Sequence, residues 1–362
     1  MKSPNLKSAT AAGLLTVLSA LLLAAPALGR PLYQLAGSLG LPGEEGWDYL
    51  TFEQGGSRLF ISHGTHVEVV DVDRMKRVGE IADTPGVHGV ALAPDLGRGY
   101  VSAGAANTIV VFDLKTLARL KEIKSTGENP DAILYDAATR RVFAFNGRGR
   151  NATVIDAVSN EVVGTIALDA KPEFARADGR GHVYVNLEDK NSLAVIDSRA
   201  LTLLSVWPIA GCEEPSGLAL NAQGKQLFAA CGNRVMAVID ATSGRELGTA
   251  PIGDGTDAAD YDPAARLAFA SCGVGVLTAV TQESSGTVAV AQSLPTQRGA
   301  RTMTLDERSH RVFLVTASFG ATPAPTAEHP HPRPAIVPGT FRLLVVSPHR
   351  TKLTTKAEGT SS

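Results

Sequence analysis

Asn107-Thr108-Ile109-Val110-Val111-Phe112-Asp113 is a short apolar run closed by an aspartate, and the chain repeats it. The same ending stands at Val69-Val70-Asp71, Val154-Ile155-Asp156, Val195-Ile196-Asp197 and Val238-Ile239-Asp240, which spaces the aspartates by 42, 43, 41 and 43 residues. Ala279-Val280-Thr281 and Val345-Val346-Ser347 are degenerate copies, the last after 66 residues. A second track lies upstream, an aromatic in a β-rich run, at Phe60, Tyr100, Phe143, Tyr184, Phe228, Phe269 and Phe313. Seven marks on each track define seven units.

Each unit reads as four short strands separated by turns, as in Ala132–Tyr135, Arg141–Phe145, Ala152–Ile155 and Val162–Ala167. A period near 42 residues with four strands per unit is the signature of a propeller. The sequence thus predicts an all-β chain, a seven-bladed β-propeller of four-stranded antiparallel blades over residues 30–350. One stretch objects: Leu114–Ile123 has the apolar spacing and propensity of a helix. In register, however, it stands where Ala157–Ile166 reads as turn and strand. Leu32–Leu39 is left over ahead of the first unit and resembles a fourth strand without its blade. Its expected place is the outer edge of blade seven, closing the ring and covering an open edge.

Composition sets the remaining bounds. The 362 residues are 44% hydrophobic, which excludes disorder as the main state. Residues 1–29 carry Lys2 and Lys7, an apolar centre over Gly13–Ala25 and small residues at Ala27 and Gly29, the order of a signal peptide cut before Arg30. The mature protein is expected to be periplasmic or secreted, monomeric and without a membrane span. Losing those two lysines would leave 32 basic against 36 acidic residues, a net charge of −4. Such a balance argues against nucleic acid as a partner. Residues 351–362 form a polar tail.

Some units resemble YVTN repeats, as in Val101-Ser102 followed by Asn107–Asp113, and in Tyr184-Val185-Asn186 followed by Asn191-Ser192-Leu193-Ala194-Val195-Ile196-Asp197. With Gly46-Trp47-Asp48-Tyr49-Leu50-Thr51 and Pro295-Thr296-Gln297-Arg298-Gly299-Ala300-Arg301, the chain resembles the YncE-like periplasmic β-propellers over about residues 31–350. The resemblance implies a fold and an exported compartment. It carries no established catalytic residues.

Comparing the units with one another separates scaffold from site. Asp71, Asp113, Asp156, Asp197 and Asp240 recur at tight turns, where a carboxylate accepts from the turn's own N–H groups. Asp136, Asp178, Asn221, Asp262 and Asp306 have the same role at the neighbouring hairpin, so this face of the disc reads as structural. On the opposite face, the first strands begin at Asp48, His88, Asp131, Glu173, Ser216, Asp257 and Arg301, spaced by 40, 43, 42, 43, 41 and 44 residues. First strands line the axial channel, so these side chains should ring its mouth. Four carboxylates, one histidine and one arginine would raise each other's carboxylate pKa and draw a cation. The ends of the second strands, among them His63 and Asn146, should form an outer shell.

The expected function is non-catalytic binding or scaffolding through this mouth, for a small polar or cationic ligand or a periplasmic protein. The alternative is a metal-dependent hydrolase or lyase, with His88, Asp131 and Glu173 as candidate ligands to a divalent metal. No cofactor other than that metal is implied, and no Gly-x-x-x-x-Gly-Lys, Gly-x-Ser-x-Gly or His-Glu-x-x-His motif occurs.

Of the three cysteines, Cys212 and Cys231 fall at the same end of two neighbouring strands of blade five and are the expected disulfide, leaving Cys272 free. Residues 319–340, with Pro323, Pro325, Pro330, Pro332, Pro334 and Pro338, form a Pro-rich insertion in the last blade. It favours an extended chain and should leave from the mouth face. Its Glu328-His329-Pro330-His331 reads as a cover, since alternate residues point apart in that geometry.

Overall fold

The computed structural model describes residues 32–282, 286–324, 326, 332 and 334–349. The expected signal peptide, the polar tail and the Glu328–His331 stretch lie outside the described residues. Those described form twenty-eight strands, β1–β28 in chain order, arranged as seven four-stranded antiparallel sheets. The first blade runs β2 (Trp47–Phe52), β3 (Arg58–His63), β4 (His66–Asp71) and β5 (Lys76–Ile81), from inside outwards. The innermost strands of the following blades are β6 (Val87–Ala93), β10 (Pro130–Asp136), β14 (Pro172–Ala177), β18 (Pro215–Asn221), β22 (Thr256–Asp262) and β26 (Met303–Asp306). Each packs on the next, and β26 on β2 completes the ring. Among the described residues no helix is long and apolar enough to cross a membrane.

The repeat has a physical basis in each blade. The second and third strands are buried on both faces, so they read as near-continuous apolar runs such as Leu59-Phe60-Ile61. Aromatics from neighbouring blades meet in the seams, for example Phe60 with Phe112 and Phe52 with Phe313, ring centroids 5.9 and 5.6 Å apart. A register shift recurs where the third strand meets the fourth, at Val69/Val70, Val111/Phe112, Val154/Ile155, Val195/Ile196 and Val238/Ile239. This bulge adds twist just before the turn aspartate. The aspartate then caps that turn: Asp156 accepts from the N–H of Val158 and Ser159 at 3.0 and 2.8 Å. Asp71, Asp113, Asp197 and Asp240 do the same in their blades. The helix-like stretch resolves into a turn over 114–116 and strand β9 (Arg119–Lys124), because that blade needs its fourth strand more than the segment needs its helical propensity.

β1 (Tyr33–Gly40) closes the ring as the outermost strand of blade seven. It pairs with β28 (Arg342–Pro348), which lies beside β27 (Arg311–Thr316). Tyr33 anchors it: the buried ring meets Phe269 edge-on at 5.0 Å. The Gln292 side chain accepts from Tyr33 N–H at 2.8 Å and donates to its carbonyl at 2.9 Å. In blade five, Cys212 is joined to Cys231 at the end of β19 (Gln226–Cys231), with Cα atoms 5.5 Å apart. Cys272 is buried and unpaired, and burial pushes its thiol up to about 11.

Candidate functional site at the channel mouth

Six of the seven mouth residues stand at or near the start of an inner strand, Asp48 in β2, His88 in β6, Asp131 in β10, Glu173 in β14, Ser216 in β18 and Asp257 in β22. Arg301 lies two residues ahead of β26. Their side chains pair around the ring. His88 Nδ1 lies 2.6 Å from Asp48 Oδ2 and 3.6 Å from Asp131 Oδ1. Arg301 Nε donates to Asp257 Oδ2 at 2.7 Å and its Nη2 to the Trp47 carbonyl at 2.9 Å. Ser216 Oγ donates to Asp257 Oδ1 at 3.1 Å.

The structure adds a cation that the register comparison missed. Lys171 Nζ lies 2.7 Å from Glu173 Oε1 and also bonds Glu188. A second column would have exposed it. Two residues before each mouth position stand Gly46, Gly86, Asn129, Lys171, Glu214, Gly255 and Gly299, and Lys171 is the one basic member. The glycines belong there because the backbone is left-handed, φ 63°, 66° and 87° at Gly86, Gly255 and Gly299. Of the four ring carboxylates, Asp48, Glu173 and Asp257 each have a cation within 2.7 Å, and Asp131, 3.6 Å from His88, is the one without its own.

Burial and crowding set the protonation. Burial works against a charged His88, yet the Asp48 hydrogen bond and the Asp131 and Asp48 charges outweigh it and hold the imidazole at about 9. Asp131 is pushed up to about 7 by burial, against His88 and with Asp48 and Asp257. Glu173 is pushed up to about 8 by burial and by Asp131, against Lys171. The Lys171 ammonium is held charged even so, because Glu173 and then Glu188 bond it. Near neutral pH the ring thus retains protons on Asp131 and Glu173 and a positive charge on His88.

Not every expected residue joins this ring. Ligand atoms of Asp48, His88 and Asp131 lie within 4.8 Å of one another, whereas Glu173 is taken by Lys171, so the candidate metal set contains Asp48 in place of Glu173. Asn146 is fully buried and spends its amide inside the blade, donating to Asn151 Oδ1 at 2.6 Å and Thr153 Oγ1 at 3.0 Å and accepting from Ser125. His63 is fully buried too, stacked on Phe341 at 4.2 Å, and burial holds its imidazole below the usual range. Neither offers a surface to a ligand at the mouth.

Beneath the ring the channel is blocked. Tyr49 of β2 stacks on Phe174 of β14, ring centroids 4.3 Å apart, and its buried hydroxyl has no hydrogen-bond partner. Beyond that plug the axis opens to the other face as a cavity of about 360 Å³, lined by Phe52, Leu92, Leu134, Met303, Arg176 and Asp260 among others. The turn face, read from sequence as structural, thus contains the entrance to an axial pocket. The Pro-rich insertion starts as a small ladder, Phe319 opposite Ile336, and helps enclose a pocket of about 290 Å³ beside the ring with Trp47, Arg298, Arg301 and Pro334.

Fold and site together define a seven-bladed β-propeller of WD40-like architecture with a charged, plugged channel mouth. The structure of U3-55K superposes with a TM-score of 0.71 over 87% of this chain and 99% of its own at 11% identity. The RRP9 WD40 repeats match at 0.70 with the same coverage and 10% identity. Kuenenia stuttgartiensis hydrazine synthase matches at 0.66 over 76% of this chain and 94% of that one, at 18% identity. At such identities the likeness shows the fold alone. No family model and no curated protein matches the sequence.

Proposed function

We propose that the chain is an exported, YncE-like YVTN-repeat propeller that binds a small organic cation at its channel mouth and performs no chemistry on it. The observation that carries this reading is the surplus carboxylate. Asp131 shares its nearest cation, His88, with Asp48, which sits closer, 2.6 against 3.6 Å. Burial, with the Asp48 and Asp257 charges, holds a proton on it up to about pH 7, and an ammonium group can take that proton's place with a full charge interaction. The Tyr49–Phe174 plug gives the site a floor, so a ligand is held at the mouth rather than threaded through. Nothing in the ring pairs a nucleophile with a free base: Ser216, the sole hydroxyl among the seven, is engaged by Asp257.

Titration calorimetry with 1,4-diaminobutane tests the reading. Wild type should bind one equivalent, and Asp131→Asn should weaken binding at least about tenfold while melting normally. Equal affinity in the two proteins, or no heat with wild type, contradicts it. The second reading, a divalent metal serving hydrolysis or elimination, is favoured by the closeness of Asp48, His88 and Asp131. Stoichiometric metal in protein purified without chelator, lost in Asp131→Asn, would support it over the first.

A further inference from the structure

We infer that His63, His66 and Glu68 form a zinc-type site, separate from the mouth, that fastens the loop entering blade one to the blade itself. Blade one is the only unit with histidines at both ends of its β3–β4 hairpin. The two face each other in register, joined by Gly64-Thr65, with Gly64 in the left-handed region at φ 56°. Cross-strand partners project from the same face, and so does the residue two further along β4, which is Glu68. Three metal-binding side chains are thereby set on one surface by strand geometry alone.

The distances suit this use. Ligand atoms of the three residues lie within 4.8 Å of one another, and His66 Nε2 is already 3.1 Å from Glu68 Oε1. A tetrahedral site with bonds of about 2.0–2.2 Å places its ligand atoms about 3.4 Å apart, so a modest contraction completes it. Glu68 is buried, and Arg77 grips its other oxygen, Oε2. That grip leaves Oε1 to the cluster and orients it, as outer-shell partners do at metal centres. His63 is fully buried with Nδ1 unpartnered, so an imidazole has been placed here although its hydrogen bonding is incomplete. Two nitrogens and a carboxylate oxygen form a borderline donor set that suits zinc better than calcium or magnesium.

A fourth ligand lies in the loop between β1 and β2. His63 Nε2 faces the Glu45 carbonyl at 3.1 Å and Glu45 Oε2 at 3.7 Å, so Glu45 steadies the imidazole and its half-exposed carboxylate can swing to a metal from the solvent side. Gly43 of the same loop sits so close that an added Cβ would come within 2.0 Å of His63 Cε1. Because the loop joins the closing strand of blade seven to blade one, a metal held by Glu45 together with the hairpin would bind the two ends of the ring closure to each other.

Zinc uptake by wild type, His66→Ala, Glu45→Gln and Asp131→Asn, measured by calorimetry with melting followed in parallel, tests the site. His66 is 20% exposed at a hairpin end, so its replacement should leave the metal-free melting profile nearly unchanged, and Glu68→Gln serves as the second variant. Wild type and Asp131→Asn should gain thermal stability with one equivalent of zinc. His66→Ala and Glu68→Gln should lose it, and Glu45→Gln should bind about tenfold more weakly. Cobalt in wild type should show four-coordinate visible bands that His66→Ala lacks. Zinc uptake unchanged in His66→Ala, no uptake by wild type, or loss only in Asp131→Asn would overturn the assignment.

Discussion

Tyr49 and Phe174 stack face to face across the channel axis, from blade one to blade four, with ring centroids 4.3 Å apart. The contact separates the charged mouth from the axial cavity, and the Tyr49 hydroxyl is buried there without a partner. Burial, reinforced by the Asp131, Glu173, Asp48 and Asp257 charges, pushes that phenol well above its usual range. An unpaired buried hydroxyl costs about 1–3 kcal/mol. Tyr49→Phe is therefore expected to keep the stack and raise the unfolding free energy by up to about 1 kcal/mol in urea titrations. A clear loss would show that the hydroxyl has a hydrogen-bond partner.

The mouth makes stability depend on pH with a definite sign. His88 at about 9, Asp131 at about 7 and Glu173 at about 8 all lie above their ordinary values of 6.5, 3.8 and 4.5. The folded state thus holds protons that the unfolded chain has released, and stability present at low pH is lost as pH rises through the folded values. The melting temperature should fall steadily between pH 5 and pH 9, and Glu173→Gln should flatten the part below pH 8. The turn aspartates act in the opposite sense, but below their usual 3.8, because backbone N–H bonds lower Asp71 and Asp156.

Ring closure rests on one aromatic anchor. Tyr33 is 4% exposed and holds β1 to blade seven through Phe269 and Gln292. Replacing a buried aromatic by alanine costs about 3–5 kcal/mol, so Tyr33→Ala should lower the denaturation midpoint steeply. Its β1 amides should also lose hydrogen-exchange protection before those of the inner strands.

Removal of the Cys212–Cys231 bond by a double serine substitution opens a loop with a sequence separation of 19. The chain-entropy model assigns such a loop ~3 kcal/mol. Thermal unfolding under non-reducing conditions measures this directly, and Cys272→Ser should have a much smaller effect.

The blades were legible because five of the seven turns take an aspartate after the same short apolar run, so Asp113 and Asp156 announce themselves at a nearly constant interval. The mouth ring was legible for the same reason, as a column that keeps its register while its chemistry changes from Asp48 to Arg301. Relationships between columns were not. Lys171 enters the ring from a position held by glycine in four of the seven blades, and it adds a third cation to a mouth in which His88 and Arg301 were expected. Tyr49 and Phe174 stand next to Asp48 and Glu173 in the chain, but only ring closure brings blades one and four face to face. The His63–His66–Glu68 grouping was half visible: His63 was read as an outer-shell residue, and its hairpin partner lay outside the columns compared.

The central claim is that an organic cation binds at the mouth in exchange for a proton. Calorimetry of wild type with 1,4-diaminobutane at pH 7, repeated in buffers of different ionisation enthalpy, counts the protons released on binding. The account predicts about half a proton per ligand at pH 7, approaching one at pH 6, affinity rising from pH 6 to pH 8, and no proton release in Asp131→Asn. Binding without proton release, or release that persists in Asp131→Asn, would contradict it.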